Sequence, residues 1–251
     1  MKIAVLKSIM ASLISAILGL LIPANALHGQ STDSVAHTWI APGVHYGWQL
    51  PAADLKHRFG SFFGLGPQLT WWGKKMYWQG SYQYYFGAQV HEDVLQGLRS
   101  TDGSVVGSTL IIPAFLRLRG WSTQLMAGKW FNSGHPRWSF GVQAGPGWIS
   151  HRLKALDESQ SHPLLVKPYW SGYDRLSSGP GITGGLAMLY QATAQAWFRL
   201  DIHHTLAWTQ LRHVQYDGYH ENSRRQDRMT SIRISWLWPI ALRAQAENIY
   251  Y

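Results

Sequence analysis

Four residues near the C-terminal end, Arg199, Asp201, His203 and Arg233, bring two guanidinium groups, a carboxylate and an imidazole into one stretch of chain. Residues two apart on an extended segment point to the same side, so the first three share a face. Arg233 has the parity of Ser231 and Ser235 on the next segment. Charges withdrawn from water need partners, so the set reads as an ion-paired polar network inside a fold, with a proton or ligand path as the sharper alternative. Other residues suggest catalysis or binding less strongly. Hydrolytic chemistry would need a His with a Ser and a carboxylate nearby, and His204, the pair Ser150-His151, and His220 with Glu221 are the candidates. Sequence gives none of them a partner. The 12 His residues form no metal motif: neither His91-Glu92 nor His220-Glu221 is followed by the second His of H-E-x-x-H, and His203 and His204 point to opposite faces of a strand. The run Gly179-Pro180-Gly181-Ile182-Thr183-Gly184 fits G-x-G-x-x-G, with Asp201 further on. That motif needs a following helix and backbone N–H groups, and Pro180 removes one. The glycines read instead as room at a bend in a strand. No catalytic residue, cofactor or metal site is assigned.

The segments that carry these residues alternate at period two. In "WSFGVQAGPGWIS" (138–150), Trp138, Phe140, Val142, Ala144, Pro146 and Trp148 oppose Ser139, Gly141, Gln143, Gly145 and Gly147. The same pattern places Val44, Tyr46, Trp48 and Leu50 against His45, Gly47 and Gln49. It recurs over 63–71, 77–86 and 198–209, and in Ile232, Ile234, Trp236 and Trp238 against Ser231, Arg233 and Ser235. Two segments are less regular. Between 114 and 130 the pattern slips at Arg119-Gly120, which reads as a bulge. Over 181–190 apolar residues occupy both parities, and a strand is assigned because its neighbours need a partner.

Connections of about 8, 3, 24, 6, 26, 3 and 14 residues separate the segments, long alternating with short. Transmembrane barrels sort loop length by end in this way, whereas a soluble barrel has no reason to. The charged residues fall mostly in or beside the long connections, and aromatics cluster toward segment ends. The expected fold is therefore all-β, an eight-stranded antiparallel up-and-down transmembrane barrel with short periplasmic turns and long outer loops. Trp138, Phe140, Val142, Trp148, Ile232, Ile234, Trp236 and Trp238 would face lipid, and the small and polar residues would fill a narrow lumen. His204 is the awkward member of the outward parity. In the third connection, residues 92–98 are expected to form one or two helical turns. In the fifth, Leu164, Leu165, Val166, Tyr169 and Trp170 are apolar for an exposed loop, which marks either a partner surface or a segment folded back over the barrel mouth.

Composition agrees with this reading. Charged residues make up only 14% and aromatics another 14%, so an ordinary wet surface would be hard to assemble. The formal charge of +9 comes without a basic run, which argues against nucleic acid. Cysteine is absent, and with it disulfides and thiolate metal sites. Residues 1–26, with Lys2 and Lys7, an apolar run over 8–22 and Ala24-Asn25-Ala26, read as a cleaved secretory signal. A short segment, 27–38, would precede a barrel spanning 39–251.

The signal, the eight alternating segments, the outer stretch "EDVLQGLRSTDGSVVG" (92–107), the later "GYDRL" (172–176) and the aromatic ending Tyr250-Tyr251 resemble the small outer-membrane β-barrel proteins of Bacteroidetes-type bacteria. The resemblance implies a barrel of OmpA/OmpX type. Its PorT-like relatives imply service to the type 9 secretion system. It carries over no functional residue. The expectation is an outer-membrane protein with a structural or accessory, non-catalytic role, acting through its loops and lipid face on envelope proteins or lipopolysaccharide. The alternatives are a lipid A-modifying hydrolase or acyltransferase and a soluble lipocalin-like binder.

Overall fold

The computed structural model describes residues 38–73, 76–98, 101, 105–106, 111–112, 115–132, 135–156, 169–212 and 224–242. The segment 1–26 read as a signal, Leu164, Leu165, Val166, His220, Glu221 and the Tyr250-Tyr251 ending lie outside them. The chain runs β1 (Thr38–Ala53), a one-turn helix (Asp54–Arg58), β2 (Phe62–Trp72), β3 (Tyr77–Gly87), a two-residue ribbon of β4 (Val105–Val106) and β5 (Ile111–Ile112), β6 (Phe115–Asn132), β7 (Trp138–Leu156), β8 (Ser177–Gln191), β9 (Trp197–Leu211), β10 (Arg225–Leu237) and β11 (Ile240–Leu242). All barrel pairings are antiparallel between neighbours in sequence. β1 then closes the ring on β10, from Gly43↔Leu237 to Ala53↔Asp227. Beyond the break at Trp238-Pro239, β11 continues the β10 side of that seam and pairs with the start of β1. The result is an eight-stranded antiparallel up-and-down β-barrel.

The alternation sets which side chains fill the ring. His45, Gln49, Gln68, Gln79, Gln83, Gln124, Gln143, Asp201 and His203 are buried inside. Val142, Leu186, Ile202 and Ile234 lie on the outer wall at 46–60% exposure. The long-loop end differs, because a core of Leu55, Phe59, Phe62, Leu118, Leu153 and Trp170 fills the interior there. A smaller cluster of Ala41, Trp72, Tyr77, Leu189, Trp197 and Leu237 closes the short-turn end.

These end clusters explain both irregular segments. β6 has no bulge at Arg119-Gly120. Arg119 pairs with Phe86 and Arg152, and Gly120 with Tyr85 and His151, in one unbroken register. The slip in the sequence is a change of surroundings: Leu118 turns into the apolar mouth while Arg117 and Arg119 stay on the outward parity. β8 is a strand, and its inward Ala187 and Leu189 reach the interior at the short-turn end. β7 continues to Leu156, so the fifth connection is shorter than the sequence suggested. Between 92 and 98 there is only a 3₁₀ turn, Gln96–Leu98, instead of α-helical turns, because the Asp93 side chain accepts a bond from Leu95 N at 3.0 Å and so supports a turn.

The G-x-G-x-x-G run lies within β8 with no helix after it. Three Gly-Pro steps, Gly66-Pro67, Gly145-Pro146 and Gly179-Pro180, each interrupt the ladder on one side. Pro has no N–H to offer there. The neighbouring strand comes so close that a Cβ on Gly145 would sit 1.9 Å from the Leu125 carbonyl oxygen. Gly145→Val must therefore push β6 and β7 apart, a cost of about 1–3 kcal/mol or more. Urea unfolding of the protein in lipid vesicles should show the lower midpoint, and an unchanged midpoint would refute this account of the step.

Candidate functional site

The lumen network is built on β9 and β10, where Arg199, Asp201 and His203 alternate inward and Arg233 pairs directly with Asp201 across the ladder. Arg199 Nε donates to Asp201 Oδ1 at 2.8 Å. Arg199 Nη2 donates to Gln143 Oε1 at 2.7 Å. Gln143 Nε2 in turn donates to the same Asp201 oxygen at 2.9 Å and contacts His203 Nε2. His203 Nδ1 meets an Arg233 nitrogen, and Arg233 also donates to Gln124 Oε1 at 2.8 Å. The four sequence-derived residues thus form one cluster.

Its other members come from strands distant in sequence: Gln143 from β7, Gln124 from β6 and Tyr77 from β3. Arg199 stacks over the rings of Tyr77 and Trp130, at 5.1 and 5.4 Å. Sequence offered no signal for these partners beyond their inward parity. A void of about 10 Å³ next to Gln124 and Thr183 holds no more than about one water, and the inward Gln, His, Arg and Asp side chains around it are buried.

A second site closes the long-loop mouth. Glu92 bridges two guanidinium groups, Arg58 Nε at 2.8 Å and Arg175 Nε at 2.9 Å. Arg58 also donates to Ser177 Oγ at 3.0 Å and to the Arg175 carbonyl at 3.1 Å. Burial pushes the Arg58 pKa down, and the Glu92 carboxylate opposes that shift. Glu92 lies in "EDVLQGLRSTDGSVVG" and Arg175 in "GYDRL", so this clasp joins the two loop stretches singled out in the sequence. Val94 and Leu95 pack beneath it. Trp170 is buried as well, with Nε1 donating to the Leu153 carbonyl at 3.2 Å. Trp170 therefore belongs to the folded-back cap and not to an exposed partner surface, whereas Tyr169 beside it is 53% exposed.

The hydrolytic candidates separate. His151 is buried, and its Nε2 lies 2.8 Å from Asp227 Oδ2, which also accepts from Thr209 Oγ1 at 2.6 Å. Its Nδ1 has no hydrogen-bond partner, so no serine hydroxyl completes a triad. His204 faces outward, its Nδ1 3.1 Å from Thr230 Oγ1. Among the described residues no group of three His, Asp or Glu side chains is placed to hold a metal ion.

On the outer wall, Phe140, Val142, Trp148, Ile234, Trp236 and Trp238 are exposed, while Trp138 and Ile232 are half-buried. Trp138 lies against Tyr190 at 4.5 Å between ring centroids.

No family model matches the chain, and no curated protein sequence does. Among solved structures, the chain is similar to Neisserial surface protein A (TM-score 0.45, 10% identity, covering 80% of this chain and 96% of that one). It is similar to Ail, the attachment invasion locus protein of Yersinia pestis (TM-score 0.41, 10% identity, 82% and 99%). A third is the outer membrane protein OprG from Pseudomonas aeruginosa (TM-score 0.39, 11% identity, 83% and 97%).

One carboxylate serves the two buried lumen guanidiniums: Asp201 is ion-paired with Arg199 at 2.8 Å and stands directly opposite Arg233 across the ladder. Removing it alone, as Asp201→Leu, should cost about 3–5 kcal/mol, because it leaves both cations uncompensated. The triple variant R199M/D201L/R233M should cost clearly less. Urea titrations of the two variants in vesicles separate these outcomes, and equal losses would show that Asp201 is not the compensating charge.

Proposed function

We propose that the chain is an outer-membrane β-barrel protein with a structural or accessory, non-catalytic role, acting through its capped loops and its lipid-facing wall on envelope proteins or lipopolysaccharide. The observation that carries this reading is the polarity of the ring. Glutamines, histidines and paired charges fill the middle of the tube, and a nearly continuous wall of Val, Leu, Ile, Phe, Tyr and Trp faces out. A monomeric soluble protein rarely exposes a contiguous apolar surface of that extent. On β7 the outward apolar run covers residues 138–148, matching the roughly 9–11 residues a transmembrane strand needs. Closure of β1 on β10 leaves no unpaired edge, as hydrocarbon demands. A lipocalin-like binder would carry the reverse polarity, with its bulky side chains converging on a ligand cavity.

The packed lumen and clasped mouth favour a scaffold over a channel. The clasp draws segments 54–61, 88–98 and 169–176 into one surface suited to a protein partner; service to the type 9 secretion system is the specific form that the resemblance suggests. The His151–Asp227 pair favours a second reading, a lipid A-modifying hydrolase or acyltransferase. That pair lies inside the barrel, with no nucleophile on its free nitrogen.

Expressed in a Gram-negative host, the protein should fractionate with the outer membrane and migrate faster on gels before boiling than after. It should give no steady conductance in planar bilayers. Recovery as a soluble periplasmic protein would overturn the membrane reading. An altered lipid A acyl pattern on expression, seen by mass spectrometry, would support the enzyme instead.

A further inference from the structure

Two cross-strand pairs on the outer wall break a rule of sheet design. Arg117 stands directly opposite Lys154, and Arg119 directly opposite Arg152, on β6 and β7. Like charges in this position destabilise an antiparallel pair. The four share the outward parity and form a two-by-two block. Among the described residues none of them pairs with a carboxylate, and Arg119 spends only one nitrogen, on the Leu118 carbonyl at 2.9 Å.

The height of the block on the wall identifies what would neutralise it. One outward step below Arg119 is Trp121, stacked on Tyr82 at 6.2 Å, and the next outward residue, Thr123, faces Trp148 on β7. Tyr84 pairs with Trp121 from the other side. On β6 and β7 these are the last aromatics before the cations, with Phe86 of β3 paired to Arg119 itself, which is the level of an interfacial girdle. Two residues of strand rise about 6.6 Å, so the cations begin at headgroup level. A groove of about 450 Å³ runs between Tyr84, Trp121, Leu176, Arg119, Arg152 and Lys154. It pairs an apolar floor with guanidinium forks shaped for phosphate oxygens.

We propose that Arg117, Arg119, Arg152 and Lys154 form a binding site for the phosphate groups of a phosphorylated glycolipid in the outer leaflet. The site rests on the membrane reading above and gives its lipid partner a place on the wall. The phosphates neutralise the repelling pairs, while the aromatic girdle holds the sugar and upper acyl carbons.

The test uses the full mature protein refolded in dodecylmaltoside, with diphosphorylated lipid A as probe and binding followed by native mass spectrometry. Diphosphorylated lipid A should stay bound to the wild type, and R117Q/R119Q/R152Q/K154Q should lose roughly tenfold or more in affinity. The control R117K/R119K/R152K, which keeps the charge, should lose less. Lipid A stripped of its phosphates should bind both proteins weakly, and millimolar inorganic phosphate should not displace the intact lipid. Equal binding by the wild type and the glutamine variant, equal binding of dephosphorylated lipid A, or full displacement by inorganic phosphate would each overturn the site. A gel shift on boiling, recorded for every variant, shows that the barrel is folded. If the wild type fails to insert into vesicles, the membrane reading fails with the site; if it inserts but ignores the phosphates, only the site fails.

Discussion

Closing a β-sheet on itself satisfies the backbone of every strand at the cost of a narrow interior, and most features of this chain follow from that constraint. The seam between β1 and β10 runs from Gly43↔Leu237 to Ala53↔Asp227. Eight strands leave an interior only as wide as the side chains that fill it. Bulky residues must therefore go outside along most of the strand length, and glycine, serine and glutamine must go in. Where strands press closest even a methyl group does not fit, as at Gly145, whose added Cβ would strike the Leu125 carbonyl. Each Gly-Pro step gives up ladder bonds on one side, and ordinary antiparallel pairing resumes within two residues.

The same constraint shows how far the sequence could be read. Alternation and loop-length sorting made the eight strands and their antiparallel order legible, since both are local and period two is hard to counterfeit over ten residues. Reading failed where the surroundings change along a single strand. At Leu118 and Leu153 the barrel rises into a mouth whose interior is an ordinary apolar core, so inward residues become apolar while outward ones become Arg and Lys. Parity never shifts in β6. A rule that equates apolar with outward must misread that transition as a bulge.

The lumen cluster was half legible for a related reason. Arg199, Asp201, His203 and Arg233 lie on consecutive strands, and neighbours in a meander are certain to meet. Gln143 and Gln124, more than fifty residues from the arginines that they bind, cannot be chosen from the other inward glutamines without the register and tilt of the closed ring. The clasp was hidden more deeply. Glu92, Arg58 and Arg175 come from three different connections, and no periodicity relates one loop to another. Trp170 shows the consequence: an apolar residue in a loop is equally consistent with a partner surface and with a cap, and only the position of the Leu153 carbonyl decides for the cap.

The two ionic clusters differ in what they do for the fold. In the lumen, two guanidiniums and one carboxylate are fully enclosed, and a buried pair seldom repays its desolvation relative to apolar residues of the same size. Such a cluster does little for stability and much for register, because sliding β9 by one residue would turn Arg199, Asp201 and His203 onto the apolar outer wall. The penalty for that error is far larger than the penalty for a misplaced leucine, so the charges fix the strand against the one-residue slip to which a glycine-rich barrel is otherwise prone. Glu92 in the clasp is partly exposed, at 23% of its side chain, and its work is to hold three connections together over the mouth. The register lock is thus buried in the lumen, where nothing needs to move. The clasp sits at the rim, where a partner binding the loops could compete for Glu92 without disturbing the ring below.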